Sequence, residues 1–123
     1  MAGPGSPDNA ADSSEEPGMS KKLPDVSNIE RLELFGEDYN PTATIENQEG
    51  QKLSLQVYYQ LALDFGGIGP KAANSGLLMY GSHADEARAN PGRHPNIDRL
   101  IDILENDYYL SVKAVPKRKS NAG

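Results

Sequence analysis

The sequence predicts a small α+β domain in which a three-stranded sheet carries helices on one face. Apolar and polar residues alternate in three stretches, and between the second and third of these the apolar residues recur with a helical period. Apolar residues make up 37% of the 123 residues, which is enough for one core and one domain. The predicted order is strand, strand, helix, helix, helix, strand, and helices packed on one face would cover the apolar side of the sheet.

The first two strands are predicted to form a hairpin. Leu32 and Leu34 are spaced by two within residues 31–36, as expected for side chains on one face of a strand. Residues 42–46 alternate and are rich in β-branched side chains, which favours a second strand. Residues 37–41 lie between them and have the composition of a turn.

The first helix is predicted to begin at Ser54, whose hydroxyl would cap it, and to end in a left-handed residue at 66–67. Its apolar stripe has helical spacing. The stripe consists of Leu55, Tyr58, Tyr59, Ala62 and Leu63.

Two further helices are predicted to begin at Pro70 and Pro95, because proline is tolerated in the first turn of a helix. A break and restart at Gly81 is an alternative for the first of them. Residues 91–92 would end that region, and residues 106–107 would end the last helix. The two apolar stripes are Ala73, Leu77, Tyr80 and Ala84, then Ile97, Leu100, Ile101 and Leu104.

The last strand is predicted over residues 108–115, paired with one strand of the hairpin. Tyr108, Leu110, Val112 and Ala114 form its apolar face. The pairs 58–59 and 108–109 each place two tyrosines side by side, so one of each pair is expected to face the core and the other the solvent or a partner.

Composition sets the domain boundaries and excludes several classes of protein. Residues 1–24 are predicted to be a disordered tail, 25–115 the single domain and 116–123 a basic disordered tail. The net charge of −6 disfavours nucleic acid as the main partner. The chain contains no cysteine, no apolar run long enough to span a membrane and no secretory signal, so we expect a cytoplasmic protein.

Both histidines lie between Gly76 and Arg99. One interpretation of this stretch is an anion-binding site that uses the N-terminal amides of the last helix. The candidate ligand-binding residues are His83, Arg88, Arg93, His94 and Asn96. Weak surface ion pairs are the alternative explanation for these charges. Metal binding by His83, Asp85 or Glu86 and His94 matches no known spacing, and neither Ser82 nor Tyr80 lies in a catalytic motif. We therefore predict no catalytic residues, no metal and no cofactor.

Residues 43–47 (Ala-Thr-Ile-Glu-Asn) and 87–100 (from Ala-Arg-Ala-Asn-Pro-Gly to Asp-Arg-Leu) carry a family resemblance. Over about residues 24–115 the chain resembles a bacterial domain-of-unknown-function family, number twenty-three twenty-two, of small cytosolic proteins. The N-terminal tail departs from that family. The resemblance implies a bacterial cytosolic protein and brings no activity, cofactor or site residue.

Two functions remain open on the sequence. The first is a non-enzymatic binding or accessory module that acts through protein contacts. Its contact would be with a partner or a second copy, through a sheet edge or a tyrosine surface. The alternative is a small-molecule or anion-binding protein, with or without enzymatic activity, whose site lies at the loop leading into the last helix.

Overall fold

The computed structural model describes residues 23–118 of the chain. Of the two predicted tails, 1–24 and 116–123, residues 1–22 and 119–123 lie outside the described residues. The strands are β1 (Ile29–Phe35), β2 (Pro41–Glu46) and β3 (Ser111–Pro116). The helices are α1 (Lys52–Phe65), α2 (Pro70–Tyr80), α3 (Ser82–Ala89) and α4 (Pro95–Asn106). A single 3-10 turn, Glu37–Tyr39, joins β1 to β2 and forms the hairpin tip.

The three strands form an antiparallel sheet in the order β2-β1-β3. The predicted hairpin is confirmed, and the last strand pairs with β1 as expected. Leu32 lies opposite Ile45 on one side and Ala114 on the other, so these side chains share one face of the sheet. Leu32 and Ile45 are fully buried, which identifies this face as the inner one.

The core lies between this inner face and the helices. Burial of each large aliphatic side chain contributes about 1.5–3 kcal/mol, so the core is the main source of stability. Close packing of α2 depends on Gly76, because a Cβ there would lie 2.8 Å from the Cδ1 atoms of both Leu61 and Leu100. The fully buried large side chains are Tyr58, Leu32, Leu34, Ile45, Leu55, Leu61, Ile68, Leu100, Ile103, Val26 and Val57. The α+β class is confirmed.

The helix boundaries predicted at glycine residues are confirmed, whereas the helix caps predicted at serine residues do not form. Gly66 ends α1 in the left-handed conformation (φ 79°), as predicted. Gly81 (φ 62°, ψ −127°) separates α2 from α3, so residues 23–118 contain four α-helices and the predicted alternative, a break at Gly81, is the one that forms. Neither Ser54 nor Ser82 caps a helix: α1 begins two residues before Ser54, and α3 has no side-chain hydrogen bond at its cap.

The last strand is shorter than predicted, because the ladder begins at Ser111. Asp107 adopts the left-handed conformation (φ 60°) at the end of α4, and the chain passes through three residues, 108–110, before reaching β3. Tyr108 and Tyr109 are both exposed, at 49% and 58%. The expectation that one of this pair faces the core is therefore wrong. Ala114 lies on the inner face but is exposed, since β3 is an edge strand.

The segment before β1 is held to the domain by side-chain amides. Asn47 Nδ2 donates to the carbonyl oxygens of Val26 and Ile29, at 3.0 and 2.7 Å. Gln56 Nε2 donates to the Pro24 carbonyl at 3.0 Å. These bonds explain how Val26 is kept in the core. Within residues 23–118, no helix is both long and apolar enough to cross a membrane.

Candidate functional site

Three of the five predicted ligand-binding residues come together at the start of α4. Arg93, His94 and Asn96 line a cleft of about 290 Å³, together with residues from the start of α1. We call this the histidine cleft; its other lining residues are Gly50, Gln51, Ser54, Pro95 and Ile97. Arg88 instead lines a different cleft, between α3 and α4. His83 is exposed on α3.

The charge around His94 is mixed. Its Nε2 is buried, has no hydrogen-bond partner within the described residues, and lies 3.5 Å from the Glu86 carboxylate. The amides of Ile97 and Asp98 donate to the His94 carbonyl, so part of the α4 N-terminus is already satisfied. The Asp98 carboxylate accepts a bond from the Gly92 amide at 2.8 Å. The Glu86 carboxylate beside the imidazole therefore opposes the binding of an anion at His94.

A partly buried polar network around the buried Tyr58 lies beside the histidine cleft. The Tyr58 hydroxyl donates to the Asn96 carbonyl at 2.6 Å, and Arg99 donates to the Tyr58 hydroxyl at 3.2 Å and to Asn96 Oδ1 at 2.8 Å. The Arg99 guanidinium lies 5.7 Å from the centre of the Tyr58 ring. Burial raises the pKa of Tyr58 to about 12, and the nearby guanidinium only partly opposes this. The Asn96 side chain is therefore engaged within the protein.

A second buried tyrosine contacts the cleft through Ser54. The Tyr80 hydroxyl donates to Ser54 Oγ at 2.6 Å. Burial raises the pKa of Tyr80 well above its usual range, and the bond to Ser54 acts in the opposite direction. Both buried phenols therefore remain protonated near neutral pH and do not serve as bases there. No group of three or more His, Cys, Asp or Glu side chains within residues 23–118 is arranged to hold a metal ion.

A second cleft, of about 630 Å³, lies between the hairpin tip and the segment that joins α4 to β3. We call it the tyrosine cleft. Its lining residues are Gly36, Glu37, Asn40, Thr42, Asp107, Tyr108, Tyr109 and Leu110. The sequence indicates the Tyr108–Tyr109 pair as a possible contact surface, and the structure adds the hairpin tip, for which the sequence predicts only a turn.

One wall of the tyrosine cleft is fixed by the glycine-rich loop after α1. The Tyr109 ring lies against Gly67 so closely that a Cβ on Gly67 would overlap with the ring and its hydroxyl. At Gly69 a Cβ would lie 3.3 Å from Tyr109 Cδ1. The loop is paired with the same segment through Ile68 and Leu110, whose amides and carbonyls bond reciprocally at 2.8 and 2.9 Å. Tyr109 is thus held in place although it is more than half exposed.

The sequence of this domain matches a known protein family. A family model described as "Uncharacterized protein conserved in bacteria (DUF2322)" matches residues 17–114. The chain belongs to this family. The match includes every residue that lines the two clefts, and it confirms the resemblance seen in the sequence. Neither the curated proteins nor the solved structures gave a significant match.

Proposed function

We propose that this DUF2322 protein is a non-enzymatic binding module that contacts a partner protein through the tyrosine cleft. The observation that carries the proposal is the pair Tyr108 and Tyr109, both about half exposed and both lining one cleft of about 630 Å³. Tyrosine is enriched at protein interfaces because its ring buries a large apolar area while its hydroxyl keeps a polar partner.

The fixed position of Tyr109 supports this proposal. An interface side chain loses conformational freedom when it binds, and this loss lowers affinity by about 0.5–1.5 kcal/mol for each mobile side chain. Tyr109 is already packed against Gly67 and Gly69, so less of this loss remains to occur on binding. Binding at Tyr109 therefore costs less side-chain entropy than binding at a freely mobile tyrosine.

The proposal is tested by purifying the tagged full chain from bacterial cells after chemical crosslinking. Tyr108→Ala is expected to remove at least one crosslinked protein that the wild type retains. Leu78→Ala is the matched control, since Leu78 is 54% exposed on α2 and does not line the tyrosine cleft. The proposal is wrong if Tyr108→Ala keeps every crosslinked protein that the wild type and Leu78→Ala retain. A crosslinked second copy of the chain, lost in Tyr108→Ala alone, would identify the partner as a homodimer.

The alternative proposal is an anion-binding protein that uses the histidine cleft. It is supported by Arg93, His94 and Asn96 lining one cleft, and it is opposed by the Glu86 carboxylate beside the imidazole. Thermal unfolding with and without inorganic phosphate tests it, with His94→Ala as the variant. A phosphate-dependent rise in Tm that is lost in His94→Ala would support it, and an equal response of both proteins would reject it. For either function we propose a cytoplasmic location, as the family resemblance implies.

A further inference from the structure

We infer that the tyrosine cleft receives an arginine or lysine side chain of the partner protein. This inference rests on the proposed function and specifies the chemistry of the partner. It follows from three features of the cleft: its charge, its position at a helix C-terminus and its aromatic surface.

The charge of the cleft is negative. Glu37, from the hairpin tip, and Asp107, from the end of α4, both line it, and both are exposed. Neither forms an ion pair with a cation in residues 23–118, and no lysine or arginine lines the cleft. Asp38 lies next to Glu37 in the chain and is also exposed. A cation in this cleft would therefore find carboxylate partners without displacing a lysine or arginine of the described residues.

The end of α4 adds to this negative charge. The C-terminus of a helix carries about half a negative elementary charge, located on carbonyl groups without partners inside the helix. The amides of Asp107 and Tyr108 both donate to the carbonyl of Ile103. These two hydrogen bonds therefore satisfy only one of the last carbonyl groups of α4. The helix terminus therefore favours a cation over an anion in the adjacent cleft.

The aromatic surface favours the same ligand. A guanidinium or ammonium group is attracted to the face of a tyrosine ring, and the methylene stem of arginine or lysine packs on apolar surface. Tyr108 and Tyr109 provide such surface in the same cleft as the two carboxylates. An acidic or purely apolar segment would fill the same space while leaving Glu37 and Asp107 without a partner, which disfavours binding.

Three synthetic peptides test the inference by NMR titration of the isotope-labelled full chain. Their sequences are acetyl-Gly-Arg-Leu-Arg-Gly-amide, the same peptide with serine at both arginine positions, and the same peptide with glutamate there. The arginine peptide is expected to shift the amide signals of Gly36, Asn40, Tyr108 and Tyr109. Binding should weaken as salt is added, because the carboxylates are exposed and screened.

Two carboxylate variants supply the specificity test. Glu37→Gln and Asp107→Asn are each expected to weaken the arginine peptide by roughly two- to fivefold. Asparagine tolerates the left-handed backbone of position 107, so the second variant should keep the fold. Glu49→Gln is the control, since Glu49 is an exposed carboxylate outside the cleft, and it should leave the affinity unchanged.

The outcomes separate this inference from the proposed function. Equal binding of the arginine and serine peptides, or no shift with the arginine peptide, overturns the cationic chemistry. In either case the crosslinking result with Tyr108→Ala still decides whether the cleft binds a protein. Preferential binding of the glutamate peptide would reverse the sign of the inference. Arginine-specific shifts that Glu37→Gln and Asp107→Asn both weaken would establish it.

Discussion

Replacing Tyr58 with phenylalanine removes one hydroxyl from the core and keeps the ring. That hydroxyl donates to the Asn96 carbonyl at 2.6 Å and accepts from Arg99 at 3.2 Å, so it joins α1 to the first turn of α4. Tyr58 is fully buried, and water cannot replace the hydroxyl without a rearrangement of the core. The variant therefore leaves a carbonyl oxygen with one partner fewer and a guanidinium with one acceptor fewer.

The expected loss follows from these two contacts. A buried polar group that loses its partner costs about 1–3 kcal/mol. The ring remains and no large cavity forms, so we add no cavity contribution and expect a loss of about 2 kcal/mol in the free energy of unfolding. For a domain of this size, such a loss lowers Tm by roughly 8–16 °C.

Urea unfolding monitored by circular dichroism measures this loss, and thermal unfolding checks it. Tyr59→Phe is the matched control, because Tyr59 is the neighbouring residue of α1, is only partly buried and has no side-chain hydrogen bond among the described residues. The control should lie within about 0.5 kcal/mol of the wild type. If Tyr58→Phe is as stable as Tyr59→Phe, the bond to Asn96 does not contribute to stability and the reasoning is refuted.

Three other perturbations have defined outcomes. Burial raises the pKa of Tyr58 to about 12, and that of Tyr80 also rises above the ordinary value of 10, so the native state keeps protons that the unfolded chain releases. Stability should consequently fall as the pH rises from 10 towards 12, by about 1.4 kcal/mol per pH unit for each tyrosine, with a smaller slope in Tyr58→Phe when measured by urea unfolding. Gly67→Ala should force the Tyr109 ring out of its place and cost about 1–3 kcal/mol, seen as a lower Tm and as shifted Tyr109 signals in NMR; unchanged signals would contradict the packing described. Asn47→Ala should cost about 1–3 kcal/mol and speed proteolysis before β1, because two carbonyls lose their donor; an unchanged cleavage rate would contradict that role.

Features that depend on local periodicity were predictable from the sequence. The alternation around Leu32 and Leu34 predicted β1, and the spacing of Ile97 and Leu100 predicted α4, since these patterns reflect which side chains face one common core. Gly66 marked the end of α1 for an equally local reason, its left-handed backbone. The pairing of the last strand with the hairpin also followed, because a small sheet offers few other partners.

Features that depend on how distant elements meet were not predictable. Arg88 and Arg93 are close in sequence, but the end of α3 and the following turn place them on different clefts. The contact between Tyr58 and Asn96 joins residues on separate helices, and no periodicity encodes it. Tyr108 looked like the start of a strand because it alternates with Leu110, whereas the left-handed Asp107 places it in the connection before the ladder.

The central position of β1 has a consequence for folding during synthesis. During synthesis β1 can pair with β2 soon after both are made, but its other neighbour, β3, follows α1, α2, α3 and α4 in the chain. One edge of β1 therefore stays open while the helices are made, and an open edge can pair with a strand from another nascent molecule. Pairing of β1 with β3 joins the two strands that are farthest apart in the sequence. Because such long-range contacts form slowly, we expect this pairing to be a slow step in folding.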